Sequence, residues 1–162
     1  MVAIDPDVEG DAERAIATTL MELAIPLAIL DQVPLHVLHV WEAPHESALR
    51  HSPRLRIPPV EADAYVGAIE ARHRQRLDRL IGPFLGVVPD MHVEMIKGKA
   101  AEVIPEVAQA RQISTMVMAT LARDGVPGLL IGNTAEAVIG RIECSVLTIK
   151  PEGFISPVRD GC

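Results

Sequence analysis

The sequence predicts an α/β protein built on a doubly wound parallel sheet with helices on both faces. Three observations carry that expectation. Short apolar, β-branched runs alternate with longer segments whose apolar residues recur at helical spacing. Each strand-like run is nearly continuous in apolar residues, as a parallel sheet buried on both faces requires. Right-handed crossovers then restrict this alternation to a doubly wound layer.

The elements follow in order. "MVAID" reads as a first strand closed by a turn at Asp5 and Pro6. From Asp11 to about Gln32, Ala15, Leu20, Leu23, Ala24, Leu27 and Leu30 keep helical spacing, with Pro26 expected to kink or break the helix. "PLHVLHVWE", residues 34–42, is a second strand, and residues 43–60, with Pro44, Pro53, Pro58 and Pro59, read as a loop. Residues 61–82 form a helix stopped by Gly82 and Pro83. "MHVEMIKG" is a third strand ending at Gly98, and "AAEVIPEVAQAR" a helix that Pro105 should shorten or bend. "STMVMAT" and "SVLTIK" supply the fourth and fifth strands. Between these two, the loop "ATLARDGVPGLLIGNTAE", residues 119–136, leads into a helix. Asn133 or Thr134 is expected to cap that helix, with Glu136 completing a capping box.

The composition bounds the function. At 162 residues and 49% hydrophobic content, the chain is expected to form one domain with an ample core. A net charge of −7 argues against nucleic acid, whose affinity rests on phosphate neutralisation. Aromatics at 2% leave almost nothing on which bases could stack. No apolar stretch approaches the roughly 20 residues of a membrane span, and the start lacks a basic signal region, so a cytoplasmic location is expected. Cys144 and Cys162 have no metal-ligand spacing and read as reduced thiols, Cys144 as a small buried residue.

In such sheets ligands bind beyond the carboxyl ends of the strands, at the switch in strand order. Asp5, the Trp41 region, Gly98 and residues 119–133 therefore share the candidate edge. A phosphate there needs inward backbone N–H groups and a helix start behind them. His36 and His39 lie at odd strand spacing and face opposite sides, which favours structural histidines over a metal pair. His45 and His51, with Glu46 between them, fit no zinc template. Arg72, Arg76 and Arg79 share a helix side and read as a solvated basic face. Neither a G-x-S-x-G elbow nor a P-loop occurs, and a single carboxylate at Asp5 does not make a hydrolase, so no enzyme is expected.

Taken together, "VAID", "LHVLHVWE", "IKGKAAEVIPEVA", "STMVMAT" and "GLLIGNTAEAVIGRIECSVLTIKP" resemble the universal stress protein (UspA) family. Further pieces, "WEAPHES", "ADAYV", "EARHRQRL" and "IKPEGFISPV", are similar to the second domain of its tandem-domain members. The resemblance covers residues 1–158 as one domain, leaving 159–162 as a tail. It implies a five-stranded sheet in the order 3-2-1-4-5, of the adenine nucleotide alpha hydrolase-like kind. It also implies a homodimer through the last strand, Ser145 to Lys150, or pairing with a partner universal stress domain.

Many family members bind ATP or AMP, with Mg, through a G-x-x-G-x9-G-[ST] loop. That motif falls here on Ala119, Ala122, Gly132 and Asn133, followed by Thr134, so one of three glycines is kept and the Ser/Thr has become Asn. The acidic residue after the first strand maps to Asp5, and the adenine-side residue of the second strand to Val40. Left-handed backbone at Ala119 and Ala122 would cost about 1–2 kcal/mol each, a loss of about ten- to a thousandfold in affinity. Gly125 and Gly128 offer the loop another path, and Asn133 brings an amide donor. The expected function is a non-catalytic stress-response dimer with a degenerate nucleotide loop; the alternative is an ATP- or AMP-binding switch with slow or no hydrolysis.

Overall fold

The computed structural model describes residues 1–6, 11–53, 55–120 and 131–150. Its strands are β1 (Val2–Ala3), β2 (Leu35–Trp41), β3 (Met91–Lys97), β4 (Thr115–Ala119) and β5 (Ser145–Ile149). Between them run α1 (Asp11–Asp31), α2 (Glu46–His51), α3 (Pro59–Ile81), α4 (Ala100–Ala110) and α5 (Asn133–Ile139). The strands form one five-stranded sheet in the order β3-β2-β1-β4-β5, parallel at every pairing. Fold class and strand order are thus as the sequence and its resemblance implied. The order reverses beside β1, which lies between β2 and β4.

The period-two geometry of a strand sends neighbouring side chains to opposite faces, and two cores result. On one face Val2, Leu35, Val37 and Val117 pack with Leu20, Met21 and Ala24 of α1 and with Leu77 and Ile81 of α3. On the other, Leu38, Met116 and Met118 pack with Ile104 and Ala108 of α4 and with Ala135 and Val138 of α5. A sheet sandwiched this way buries its central strands on both sides, which is why those strands are apolar throughout.

Three local expectations are corrected. Pro26 and Pro105 sit inside α1 and α4 without ending either helix. Proline at 105 removes the N–H that would bond the carbonyl four residues back. The Arg141 guanidinium donates to that carbonyl instead, Nη1 to Ala101 O at 2.8 Å. Residues 43–60, read as a loop, contain α2 and the first turn of α3, whose Pro59 occupies a first-turn position where no N–H is missed. Cys144 is half-buried beside the α4/α5 core rather than enclosed within it.

Candidate functional site

The ligand edge is built by the carboxyl ends of β1, β2 and β4 and the start of α5. Asp5 follows β1, and Val40 is the next-to-last residue of β2; both are half-buried. Ala119 ends β4, paired with Ile149, and the ladder runs one residue further as Thr120 N–H donates to Ile149 O at 3.1 Å. Gly132 is buried at the start of α5, while Asn133 and Thr134 beside it are exposed. Ala122, and the loop around it from 121 to 130, lies outside the described residues, as does Cys162.

Two readings of this edge change. The cap of α5 is Gly132, in an extended conformation (φ −72°, ψ 150°), with no side-chain hydrogen bond; Asn133 and Thr134 are already helical. A residue with helical backbone cannot serve as the extended Ncap that the capping box requires. Ala119 has ordinary strand backbone and is absent from the positive-φ residues. The strain expected there does not arise, and its methyl packs against the α1 core.

The histidines separate as their spacing predicted. His39 points to the α3 side, 1% exposed, and His36 to the α4 side. His39 Nδ1 lies 3.2 Å from the Ile4 carbonyl and Nε2 lies 2.9 Å from Nδ1 of His73, itself 6% exposed. Because a carbonyl only accepts, Nδ1 of His39 carries the proton, its Nε2 is the acceptor, and His73 donates from Nδ1. Desolvation holds His39 at about 4, with the Ile4 bond opposing and His73 and Arg74 reinforcing the drop. Burial, then Arg72, lowers His73 as well. Trp41 tilts over His73, ring centres 5.5 Å apart, and Lys97 lies 5.8 Å above the indole.

The crossover after β2 is fastened near this corner. Arg50 reaches Glu46 and Asp63, each at 2.8 Å, Lys97 pairs with Glu46, and the Tyr65 hydroxyl donates to Pro44 O at 2.9 Å. Hydrogen bonds from Lys97 and then Arg50 hold the Glu46 carboxyl below its ordinary range. Gly98 turns the chain with φ 150° and donates its N–H to Trp41 O. His45 stands before α2 in a left-handed conformation.

At the opposite, amino end of the sheet, a depression of about 470 Å3 is lined by His36, His92, Glu94 and Arg111 among others. His36 and His92 stack at 5.0 Å, and Nδ1 of His36 is buried without a hydrogen bond, 3.8 Å from Glu94. Among the described residues no three His, Cys, Asp or Glu side chains converge as metal ligands. Nor is any described helix long and apolar enough to cross a membrane.

The pairing of His39 with His73 and Trp41 was not read from the sequence. A signal existed: His73 falls in the buried stripe of α3 with Ile69, Leu77 and Ile81, four residues from each neighbour in turn. A polar residue in a core stripe demands a buried partner.

Comparison with known proteins agrees with this architecture. A family model described as the universal stress protein family matches residues 1–150. Universal stress protein E of Escherichia coli strain K12 is 31% identical over 160 residues, covering 98% of this chain and 48% of that protein. A solved structure from Pseudomonas aeruginosa UCBPP-PA14, described as a universal stress protein, superposes with a TM-score of 0.68 at 27% identity, covering 93% of this chain and 46% of its own. A universal stress protein solved in complex with cAMP shares the fold at TM-score 0.55 and 16% identity, covering 92% of this chain and 94% of its own. The chain thus spans about half the length of the curated relatives it matches.

Proposed function

The chain belongs to the universal stress protein family, and from that premise we propose that it acts by binding rather than turnover. It is a regulatory stress-response protein, working as a homodimer or against a partner universal stress domain, with a weakened nucleotide loop. The observation that carries this reading is the ligand edge itself. Asp5, Val40, Ala119, Gly132, Asn133 and Thr134 stand at or beside the strand ends, where β1 separates β2 from β4. This is the switch point at which doubly wound sheets bind ligands.

The residues fit an adenosine moiety better than a metal-bound triphosphate. By the family resemblance Asp5 would be a nucleotide contact and Val40 the adenine-side residue, and both are half-buried at the strand ends. For phosphates, Gly132 alone keeps the glycine of the motif, and among the described residues no side chain caps α5. Because Ala119 is unstrained, the loss of phosphate affinity falls on Ala122 and on the exchange of Ser/Thr for Asn133. Magnesium, where present, would travel with the phosphates and neutralise them, and Asp5 is the carboxylate that the resemblance maps to this edge.

Calorimetric titration with Mg-ATP and with AMP tests this. Weak heats, saturating only near millimolar nucleotide, support the reading, whereas micromolar Mg-ATP affinity removes it. That outcome would favour the second reading, an ATP- or AMP-responsive switch, to which the cAMP-bound relative lends support. The dimer rests on the β5 edge, where Leu147 is exposed at 39%. Light scattering should find a dimer, and Leu147→Lys a monomer.

A further inference from the structure

We propose that His39 and His73 are positioning residues: their paired imidazoles form a strut from α3 that sets the carboxyl ends of β1 and β2, and with them Asp5 and Val40. This rests on reading those strand ends as the ligand edge. The geometry is direct. One end of the strut grips the Ile4 carbonyl, half of the peptide link that continues into Asp5. The middle of the strut is His39, bonded covalently to Val40. Its far end is His73, on the buried stripe of α3 under the Trp41 ring. Two candidate binding positions on different strands are thus tied to one buried hydrogen-bonded chain, and that chain is anchored on a third element.

The donors run one way. His73 Nδ1–H gives to His39 Nε2, and His39 Nδ1–H gives to Ile4 O. This polarity fixes the effect of protons. A first proton on His73 Nε2 leaves both bonds in place and strengthens the donor. A second, on His39 Nε2, sets two N–H groups against each other at 2.9 Å and opens the strut. The charges around the pair oppose protonation: Arg74 of α3 at His39 and Arg72 of α3 at His73. The carboxyl group nearest along the chain is Asp5, one residue beyond Ile4 and past the end of β1. Near neutral pH the strut is closed, with burial keeping His39 neutral.

Nuclear magnetic resonance on the 15N-labelled chain tests the proposal without any ligand. Both rings should show the Nδ1–H tautomer at pH 7.5. On acidification the Asp5 and Val40 amides should shift with the midpoint of the His39 ring, while the Ser145 amide on β5 does not follow it. His73→Leu should displace the Asp5 and Val40 resonances already at neutral pH, and His73→Asn, which keeps a donor near the Nδ1 position, should restore them. In a parallel AMP titration, His73→Leu should bind about fivefold more weakly, as expected for one hydrogen bond of about 1 kcal/mol, and His73→Asn close to wild type. An Nε2–H tautomer at His39, or unmoved Asp5 and Val40 amides in a folded His73→Leu variant, overturns the strut. If His73→Leu fails to fold, the wild-type tautomers and titration decide alone. If wild type binds no AMP while the amides titrate as stated, the strut stands and the adenosine reading of the edge falls.

Discussion

His39 should make this protein acid-sensitive in a way that one substitution can isolate. Its imidazole is 1% exposed and titrates at about 4 in the fold, against 6.5 for an ordinary histidine. Above pH 6.5 the ring is neutral in both folded and unfolded chains, so its contribution is intact. As pH falls through 6.5 the unfolded chain takes up a proton that the folded chain refuses, and stability declines. The loss is complete once the folded ring also accepts a proton near 4. The full gap corresponds to about 3 kcal/mol, of which about 2–3 kcal/mol falls between pH 7.5 and 4.5. His73 and His36 are lowered too, chiefly by burial, and act in the same direction. Urea unfolding followed by circular dichroism at steps from pH 7.5 to 4.5, on wild type and His39→Gln, measures the difference. The variant will be less stable throughout, but its stability should fall less steeply, by about 2–3 kcal/mol over that range. Carboxylate titration is common to both proteins and cancels. Parallel curves would refute the assignment of a buried, neutral His39.

Other outcomes follow from the same geometry. Gly98→Ala places a methyl 2.7 Å from Val103 Cγ2 on a backbone with φ 150°, and should lower stability by about 1–3 kcal/mol in urea unfolding; adding Val103→Ala should recover the steric part and leave the backbone part. Met116→Ala, at a fully buried position of β4, should cost about 2–5 kcal/mol while circular dichroism keeps the α/β signature. Ala119→Gly should leave nucleotide affinity unchanged by calorimetry, because that backbone is already a regular strand, whereas Ala122→Gly should raise it; the reverse pattern would return the strain to position 119. Arg141→Met removes the donor to the Ala101 carbonyl beneath Pro105, and should increase amide exchange in α4 more than in α1.

Most of the fold was legible because it is written in period. β2 through β5, α1, α3 and α4 lie within one or two residues of their apolar runs, since a strand buried on both faces and a helix buried on one each leave a repeating mark. What period cannot show is who substitutes for a missing bond. Pro105 is expected to shorten or bend its helix because its own segment lacks a donor for the Ala101 carbonyl, and that donor comes from Arg141, 40 residues away from the carbonyl it serves. Proline density hid α2 for a related reason. Pro44 and Pro53 flank six residues that are helical between them, where neither ring interrupts a bond.

The candidate site divides along the same line. Asp5, Val40 and Gly132 were placed because strand ends and switch points are properties of topology, which the alternation of elements determines. Ala119 does end β4, but the strain expected there does not arise. A glycine-to-alanine exchange read on the sequence suggests strain, but strain needs a positive φ, and the β4–β5 ladder holds Ala119 extended through its pairing with Ile149. The methyl therefore adds volume to a core. Any loss of phosphate affinity must then arise after the strand has ended, at Ala122 or at Asn133, where helical backbone carries an amide side chain in place of a hydroxyl. Exchanging Asn133→Ser in the Ala122→Gly background separates the two: an affinity gain from the second exchange alone would assign the loss to the Asn133 side chain, and a gain already complete in Ala122→Gly would assign it to position 122.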